Sequence, residues 1–378
     1  MDNTIYPKLI EEALATVTYP GTKKSLTESD MLIDTPVVTK KTKDNGQEYW
    51  HVRVDLRFPR ETDPFLKSTV KATEAAIHYH CGSDIDIEIR TEFKTKPRPE
   101  VGKMLPGVKN IIAVSSGKGG VGKSTVSANL AISLARLGYQ VGLLDTDIFG
   151  PSMTKMFGVE DIHPYAIEKD GRQLIEPVEK YGVKLLSIGF FVNPDTATLW
   201  RGGMATSALK QLIADADWGE LDYFILDTPP GTSDIHLTLL QTLAITGAVI
   251  VSTPQQVALA DARKGIDMYR NEKVNVPILG LIENMAWFTP AELPDNRYYL
   301  FGKEGCQQLA EEMHVPLLAQ IPIVQSICEN GDAGTPAALD INSTTGQAFL
   351  SLAQSVVTVV NRRNAELPRT EIVGIKKS

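Results

Sequence analysis

A nine-residue stretch decides the fold of this chain: Gly117, Lys118, Gly119, Gly120, Val121, Gly122, Lys123, Ser124 and Thr125. Its spacing is GxxxxGK followed by Ser or Thr, in which glycines let successive backbone N–H groups converge on phosphate oxygens. The apolar run at residues 110–115 predicts a buried strand before the stretch, and the apolar spacing of residues 124–137 predicts a helix after it. The alternative is a glycine-rich turn that only joins a strand to a helix. We expect a phosphate site at the helix N-terminus.

Two side chains of this stretch suit a nucleoside triphosphate. Lys123 would reach the β- and γ-phosphates, and the Ser124 hydroxyl would complete the shell of a Mg²⁺ ion that the phosphates share. The helix end adds partial positive charge from its unpaired N–H groups, which favours bound phosphate. The sequence therefore predicts ATP and Mg²⁺ as ligands.

Composition argues against several classes of function. The 378 residues are 43% hydrophobic and 22% charged, enough for two or more domains with a sizeable core. A net charge of −8 argues against nucleic acid as the main partner, because such binding relies on clustered Lys and Arg. The chain does not begin with a basic and apolar leader, and no run approaches the roughly 18 apolar residues of a membrane span, so no membrane partner is expected. The three cysteines do not suggest a disulfide framework, and we expect a reducing cytoplasm.

Two structured regions are predicted, with a linker between them. Residues 1–92 combine helical patterns with alternating ones, such as EYWHVRVDLRF at 48–58, and predict a small α+β domain of the iron–sulfur assembly-like kind. Residues 93–108 mix Lys and Arg with Pro, which predicts an extended, solvated linker. Residues 109–363 form the larger predicted domain, and residues 364–378 form a C-terminal tail.

The larger domain is predicted to be α/β with a mainly parallel sheet. From residue 109 onward, strand-like apolar runs alternate with helical stretches, which indicates right-handed βαβ crossovers. The later runs lie at residues 141–145, 183–188, 223–227, 248–252, 278–283 and 317–321. Ligands bind such sheets at the carboxyl ends of the strands, so the chemistry is expected there.

Three aspartates lie at such strand ends. Asp145 and Asp147 close one predicted strand, and Asp227 closes another, just before Thr-Pro-Pro-Gly231. We expect Asp227 in the Mg²⁺ shell and Asp147 beside the water that attacks the γ-phosphate. The Gly231 N–H is expected on the γ-phosphate itself, so that this loop senses whether the phosphate is present. The alternative for each aspartate is a helix cap or a turn former.

Four motifs carry a family resemblance: GKGGVGKST at 117–125, DTDIFGPS at 145–152, WRGGM at 200–204 and DTPPGTSD at 227–234. Together they resemble the Mrp (ApbC-type) ATPases, which belong to the MinD and ParA group of deviant P-loop NTPases. The resemblance covers essentially the whole chain, because many such proteins carry a small iron–sulfur assembly domain ahead of the ATPase.

The resemblance implies roles that the residues alone do not. Lys118 is implied to be the signature lysine, which reaches phosphates bound by the partner subunit, so a homodimer with two ATP molecules at its interface is expected. Asn284 is implied to contact adenine, and the alternative for it is a turn former. Members of the family carry iron–sulfur clusters and deliver them to apoproteins. Iron–sulfur scaffold and recipient proteins are therefore the implied partners.

The sequence departs from the family pattern at the cluster ligands. The family places a Cys-x-x-Cys pair shortly after Asn284, whereas the segment that follows here, MAWFTPAELPDN, contains no cysteine. Thiolates are the usual ligands of iron–sulfur clusters. Cys306 and Cys328 remain as candidate iron–sulfur ligands, and the alternative for Cys306 is a buried thiol in a helix. Glu292 and Asp295 are candidate oxygen ligands.

We expect a slow ATPase that works as a dimeric switch and, by resemblance, binds and transfers iron–sulfur clusters. A first alternative is a nucleotide-gated partition or positioning ATPase, although residues 371–378 are too short for a membrane-binding helix. A second is an adaptor whose N-terminal region docks partners under the control of the nucleotide site.

Overall fold

The computed structural model describes residues 5–20, 22–42, 48–59, 63, 65–82, 85–93, 104–148, 150–169, 171–191, 202–290, 292–293 and 295–373. Most of the predicted linker, residues 374–378 of the predicted tail, Phe149 of DTDIFGPS, and Trp200 and Arg201 of WRGGM lie outside these ranges. The chain divides into two compact units, Met1–Arg98 with Glu168–Gln173 and Pro99–Ile167 with Leu174–Ser378. The sequence did not suggest that residues 168–173 would group with the first unit.

Among the described residues, the first unit has a three-stranded sheet, a two-stranded hairpin and two helices around its own core. Its elements are α1 (Ile5–Thr16), β1 (Thr18–Tyr19), β2 (Lys24–Ser25), β3 (Val37–Thr42), β4 (Glu48–Phe58), α2 (Leu66–Cys81) and β5 (Ile85–Phe93). β4 is the central strand, because β3 pairs with it antiparallel and β5 pairs with it parallel. Along β4, Val52, Val54, Leu56 and Phe58 are fully buried and the residues between them are half-buried, which is the alternation expected of a strand with one face on the core.

The remaining strands are β6 (Val108–Ser115), β7 (Val141–Asp145), β8 (Ala166–Lys169), β9 (Arg172–Ile175), β10 (Val178–Lys180), β11 (Val183–Ser187), β12 (Leu221–Asp227), β13 (Gly247–Ser252), β14 (Ile278–Phe288) and β15 (Leu317–Ile323). The remaining helices are α3 (Lys123–Arg136), α4 (Met153–Met156), α5 (Gly202–Ala214), α6 (Asp234–Thr242), α7 (Gln256–Arg270), α8 (Gly305–Glu312), α9 (Gln325–Asp332) and α10 (Thr344–Glu366). None of the helices in the described ranges has both the length and the apolar character needed to cross a membrane.

The second unit is built on one large sheet. Eight of the described strands form it in the order β10-β11-β7-β12-β6-β13-β14-β15. Neighbours pair in parallel, except that β10 pairs antiparallel with β11 at one edge. Every residue of β13 is buried, as in a parallel sheet that helices cover on both faces. The predicted α/β class with a mainly parallel sheet is confirmed, whereas the three-residue strand β10 was missed because it is too short to show a pattern.

The pairing register brings the carboxyl ends of three neighbouring strands to one level. Asp227 at the end of β12 lies opposite Val114 of β6 and Asp145 of β7. The Thr146 N–H donates to the Asp227 main-chain oxygen at 3.0 Å, which ties the segment after β7 to the end of β12. The glycine-rich loop after β6 and the acidic segments after β7 and β12 therefore meet at one edge of the sheet.

Candidate active site

Two glycines shape the loop between β6 and α3. Gly122 caps α3 with a φ of 83°, in the left-handed region that a Cβ disfavours, and a Cβ at this position would lie 2.2 Å from Asn284 Nδ2. At Gly117, a Cβ would lie 2.2 Å from the main-chain oxygen of Asp261 in α7. The loop backbone is thus packed closely against α7 and β14. This packing fixes the direction of the N–H groups that a phosphate would meet.

The Asp227 carboxylate is the centre of the site. It is fully buried, and its Oδ1 accepts hydrogen bonds from Lys123 Nζ at 2.7 Å and from Ser127 Oγ at 2.6 Å. Its Oδ2 accepts from Ser124 Oγ at 2.7 Å. Lys123 Nζ also donates to Ser124 Oγ at 3.1 Å. The structure therefore places the lysine, the hydroxyl and the carboxylate that the sequence singled out within one hydrogen-bonded group.

Sequence reasoning missed Ser127. It lies one helical turn after Lys123 on α3, and its hydroxyl bonds both to the Lys123 main-chain oxygen and to Asp227. The i, i+4 spacing from the motif lysine places both side chains on the same face of the helix, and this spacing is the signal that could have found it.

The two aspartates after β7 differ in environment. Asp145 is buried and accepts hydrogen bonds from Ser187 Oγ at 3.0 Å and from the main-chain N–H groups of Asp147, Ser152 and Met153 at 3.1 to 3.3 Å. It therefore holds the chain that follows β7 in place. Asp147 is only half-buried, two residues beyond the end of the strand.

The pKa of Asp145 differs from that of an ordinary surface carboxylate. Burial and, to a smaller extent, the nearby charge of Asp227 raise the pKa of Asp145 to about 7. The donors from Asp147 and Ser187, together with the charge of Lys123, favour the ionised form but do not outweigh these two effects. Asp145 is thus a carboxyl group that titrates near neutral pH while it is part of the packed site.

The Thr228–Gly231 segment is tied to β6 and the loop after it. The Thr228 N–H and Oγ1 donate to the main-chain oxygen of Val114 at 3.1 and 3.0 Å. The Gly231 N–H donates to the Ser116 main-chain oxygen at 2.9 Å. The amide expected to face a γ-phosphate is therefore bonded to the first part of the glycine-rich loop in this structure.

Lys118 and Asn284 both lie at the glycine-rich loop, but the first is exposed and the second is buried. The Lys118 side chain is exposed, and its main-chain oxygen accepts from Ser116 Oγ at 3.0 Å. Asn284 is buried on β14, and its Nδ2 donates to the Val121 main-chain oxygen at 2.9 Å. Lys118 can thus reach outward from the site, whereas Asn284 braces the loop from the neighbouring strand.

The cysteines lie in three different surroundings. Cys306 is fully buried in α8, where its N–H donates to Glu283 Oε2 at 2.8 Å and its Sγ lies 3.8 Å from the Thr253 main-chain oxygen. Burial and the charge of Glu283 raise the pKa of the Cys306 thiol. Cys328 is exposed on α9, and Cys81 is half-buried at the end of α2 in the first unit. Cys306 has the surroundings of a core thiol, as the alternative interpretation stated.

The segment after Asn284 contains no cysteine and carries several aromatic side chains. Phe288 and Tyr298 exchange both main-chain hydrogen bonds at 2.8 Å, and the Arg297 guanidinium lies 4.3 Å from the centre of the Trp287 ring. Glu292 and Asp295 are exposed. Within the described part of the chain, no three His, Cys, Asp or Glu side chains are grouped closely enough to hold a metal ion.

A parallel α/β sheet that presents a glycine-rich loop at a helix N-terminus, beside a buried lysine, hydroxyl and carboxylate, defines a P-loop NTPase. Residues 107–357 match the model of the family described as NUBPL iron-transfer P-loop NTPase, and this chain belongs to that family. The resemblance drawn from the four motifs is confirmed.

Individual relatives agree with this assignment. The chain is 47% identical over 264 residues to an iron–sulfur cluster carrier protein of Aquifex aeolicus, covering 69% of this chain and 71% of the relative. It is 38% identical over 344 residues to an iron–sulfur cluster carrier protein of Synechocystis, covering 90% and 94%. Among solved structures, a nucleotide-binding protein of Archaeoglobus fulgidus in complex with ADP is similar, with 37% identity, a TM-score of 0.54, and coverage of 62% of this chain and 90% of that one.

Proposed function

We propose that this chain hydrolyses ATP with Mg²⁺ as a homodimer, and that this cycle serves the delivery of iron–sulfur clusters to apoproteins in the cytoplasm. The observation that carries the ATPase is the group of contacts around Asp227, in which one buried carboxylate holds both Lys123 and Ser124. Carboxylate and hydroxyl oxygens are the hard ligands that Mg²⁺ prefers. The residues present therefore fit a Mg²⁺ ion at Ser124 and Asp227.

Each part of ATP has a proposed partner. The backbone N–H groups of residues 117–125 surround the phosphates, and the Lys123 ammonium pairs with the β- and γ-phosphate oxygens. Asn284, which already contacts the loop, is the proposed adenine contact. A bound Mg²⁺ ion would neutralise charge on the β- and γ-phosphate oxygens.

Asp147 is the proposed partner of the attacking water. The water oxygen bonds to the γ-phosphorus, the bond from that phosphorus to the β–γ bridging oxygen breaks, and ADP and phosphate result. Asp147 orients this water and accepts its proton. Asp145 does not suit this role, because its carboxylate is already engaged by Ser187 and by main-chain donors.

Gly231 provides the proposed link between the γ-phosphate and the loop. Its N–H now donates to the Ser116 oxygen, so a γ-phosphate that takes this donor must compete with Ser116. The exchange of one acceptor for another moves the segment that follows Asp227. In nucleotide switches, a loop that is ordered by the γ-phosphate and released after hydrolysis passes the state of the nucleotide to the rest of the protein.

Lys118 is the proposed reason for a homodimer. Its exposed side chain can extend to phosphates held by a partner subunit, where a second cation would stabilise the charge of the transition state. Hydrolysis would then depend on dimer geometry. We expect slow turnover, because such sites are slow when the charge-stabilising residue is not permanently in place.

The iron–sulfur cluster is the proposed cargo, and its ligands are not explained by this chain's cysteines. A cluster held between two subunits by four thiolates needs two accessible cysteines per chain. Cys306 is buried and Cys328 is exposed on a different helix, so these two do not form the expected pair. We therefore assign no cluster ligand and derive no transfer step through these residues.

The ATPase is tested by phosphate release from Mg-ATP. Lys123→Ala and Asp147→Ala should each lower the rate by at least about 100-fold, and removal of Mg²⁺ by EDTA should abolish it. Lys155→Ala, which removes an exposed ion pair with Glu160, is the matched control and should leave the rate unchanged. Hydrolysis that persists in either active-site variant would refute the assignment of the site.

The iron–sulfur role is tested by anaerobic reconstitution with iron and sulfide, followed by transfer to an apo-ferredoxin. Visible absorbance and bound iron per dimer are measured for wild type, Cys328→Ala and Cys306→Ala. A cluster that is lost in Cys328→Ala and kept in Cys306→Ala would support cluster carriage by a cysteine outside the position of the family's Cys-x-x-Cys pair. A colourless, iron-free protein that still hydrolyses ATP would contradict carriage and leave an ATPase switch.

A further inference from the structure

A buried histidine of α6, His236, connects the segment after Gly231 with the end of β6. His236 is 2% exposed and lies in the first turn of α6, which begins three residues after Gly231 of the proposed phosphate-sensing loop. Neither the sequence motifs nor the ATPase steps above use this side chain. Its contacts nevertheless reach both the phosphate-sensing loop and the end of β6.

The hydrogen bonds of His236 determine which ring nitrogen carries the proton. Its Nδ1 lies 3.2 Å from the Ser233 main-chain N–H, which can only donate, so Nδ1 must accept. The neutral ring then carries its proton on Nε2, which lies 3.4 Å from Ser115 Oγ. Ser233 caps α6, and its main-chain oxygen accepts from the His236 N–H. The imidazole is therefore one half of the helix cap and also a donor to Ser115, the last residue of β6.

The surroundings keep this ring neutral. Burial, together with the smaller effect of the positive charge of Lys123, lowers the pKa of His236 to about 4. The neutral ring of α6 thus meets the end of β6 at Ser115.

We propose that His236 is a positioning residue for ATP hydrolysis, in which its imidazole clamps the N-terminus of α6 to Ser115 at the end of β6. This inference rests on the proposed ATPase function. Residues 228–233 are then held at both ends, by Thr228 on Val114 and by His236 on Ser115, while Gly231 between them changes its acceptor from Ser116 to the γ-phosphate. The clamp confines the movement to the middle of the segment, so that the Gly231 N–H arrives at a defined position.

Loss of the His236 side chain should affect kcat and KM differently. His236 hydrogen-bonds to Ser233 and Ser115, and neither of these residues is a proposed nucleotide contact, so the loss of its side chain should leave ATP binding nearly intact. His236→Ala should lower kcat by about tenfold or more, because small displacements of a positioned group are costly, and should change KM by less than about twofold. His236→Gln provides rescue, because a glutamine at this capping position can accept from Ser233 and donate to Ser115.

The clamp can also be measured without catalysis. In hydrogen exchange followed by mass spectrometry, the first turn of α6 should exchange faster in His236→Ala than in wild type, and His236→Gln should restore protection. Ser115→Ala removes the other partner and should reproduce both effects. The double variant His236→Ala with Ser115→Ala should be little worse than either single variant, because the two act as one unit. His163→Ala, at an exposed position, is the matched control.

The outcomes distinguish this inference from the function on which it rests. A wild-type protein that does not hydrolyse ATP would contradict the proposed function. A wild-type enzyme that hydrolyses ATP, together with an equally active His236→Ala variant, would contradict the positioning role alone. Unchanged exchange in α6 of both His236→Ala and Ser115→Ala would show that no clamp exists, and a glutamine variant as impaired as the alanine variant would exclude the proposed hydrogen bonds.

Discussion

Lys123 Nζ lies 2.7 Å from Asp227 Oδ1, and the two side chains are 6% and 0% exposed. Two opposite charges in such a place stabilise each other only as long as both are present, because either one alone is a buried, uncompensated charge. The pair therefore links the stability of the second unit to the same residues that are proposed to bind phosphate and Mg²⁺. Stability and activity can be separated experimentally at this pair.

Lys123→Ala should destabilise the protein by about 3–5 kcal/mol, since it leaves the Asp227 carboxylate buried without its cation. Adding Asp227→Asn should restore much of this loss without restoring ATPase activity, because the neutral side chain can still accept from Ser127. Urea unfolding measures both effects. Lys155→Ala, at an exposed pair, is the control and should change stability by no more than about 1 kcal/mol. A double variant as unstable as Lys123→Ala would argue against a charge effect.

Gly117 and Gly119 provide a matched pair for the packing of the loop. A Cβ at Gly117 would lie 2.1 Å from the Asp261 main-chain carbon, so alanine there must push the loop away from α7. A Cβ at Gly119 would meet nothing nearer than Pro230 at 3.9 Å. We expect Gly117→Ala to cost about 1–3 kcal/mol of unfolding free energy, while Gly119→Ala costs little. Equal stability of the two variants, measured by urea unfolding, would show that α7 does not constrain the loop.

That Lys123 and Asp227 belong to one site could be predicted from the sequence, because each residue holds a fixed place in a regular element, whereas their direct contact was not predicted. Lys123 begins a helix after a glycine motif, Asp227 ends a buried strand, and parallel strands align their carboxyl ends. The same reasoning found Asp145 but not its role. That role depends on Ser152 and Ser187, which reach it through tertiary packing rather than through any local pattern.

The role proposed for His236 could not be predicted from the sequence either. Its position three residues after Ser233 suggests a capping box, but a histidine in that place is not the usual Glu or Gln. Its contact with Ser115 spans 121 residues of sequence and depends on how α6 packs against the end of β6. The edge strand β10 and the continuation of β14 to Phe288 were likewise determined by pairing with neighbours rather than by their own residues.

Asp145 should make stability depend on pH near neutrality. Its pKa is raised to about 7 in the folded protein, above the ordinary value of 3.8, so the folded state binds more protons between these two values. Stability therefore falls as pH rises from about 4 to about 7, with a limiting slope of about 1.4 kcal/mol per pH unit from this group. Above about pH 7 its contribution becomes constant.

Asp145→Asn isolates this contribution. The variant loses an acceptor for main-chain donors and should be less stable than wild type at pH 5, but the difference should shrink or reverse by pH 8. Urea unfolding at intervals between pH 5 and 8 measures the change, and Asp161→Asn, at an exposed position, should show the same pH dependence as wild type. A constant difference between Asp145→Asn and wild type across this range would show that Asp145 does not titrate there.

Lys118 allows the proposed homodimer to be tested by mixing subunits. Because its side chain is exposed, Lys118→Ala should unfold at the same temperature as wild type and still bind ATP, but it should hydrolyse ATP at least about 100-fold more slowly if the lysine acts on the partner's phosphates. Asp147→Ala should be equally inactive, because Asp147 is proposed to act on the water in its own subunit. In a mixed dimer, the site that keeps Asp147 receives Lys118 from the other subunit and regains every proposed group.

Equal mixing of the two inactive variants should therefore restore about a quarter of wild-type activity, since about half of the dimers are mixed and each has one complete site. Phosphate release is measured for each variant alone and for the mixture, at a concentration where light scattering shows ATP-dependent dimers. Mixing Lys118→Ala with Lys118→Ala/Asp147→Ala is the control and should restore nothing, because no subunit then supplies the lysine. If the first mixture also stays inactive while mixed dimers form, Lys118 does not act across the interface, and its role must lie within its own subunit.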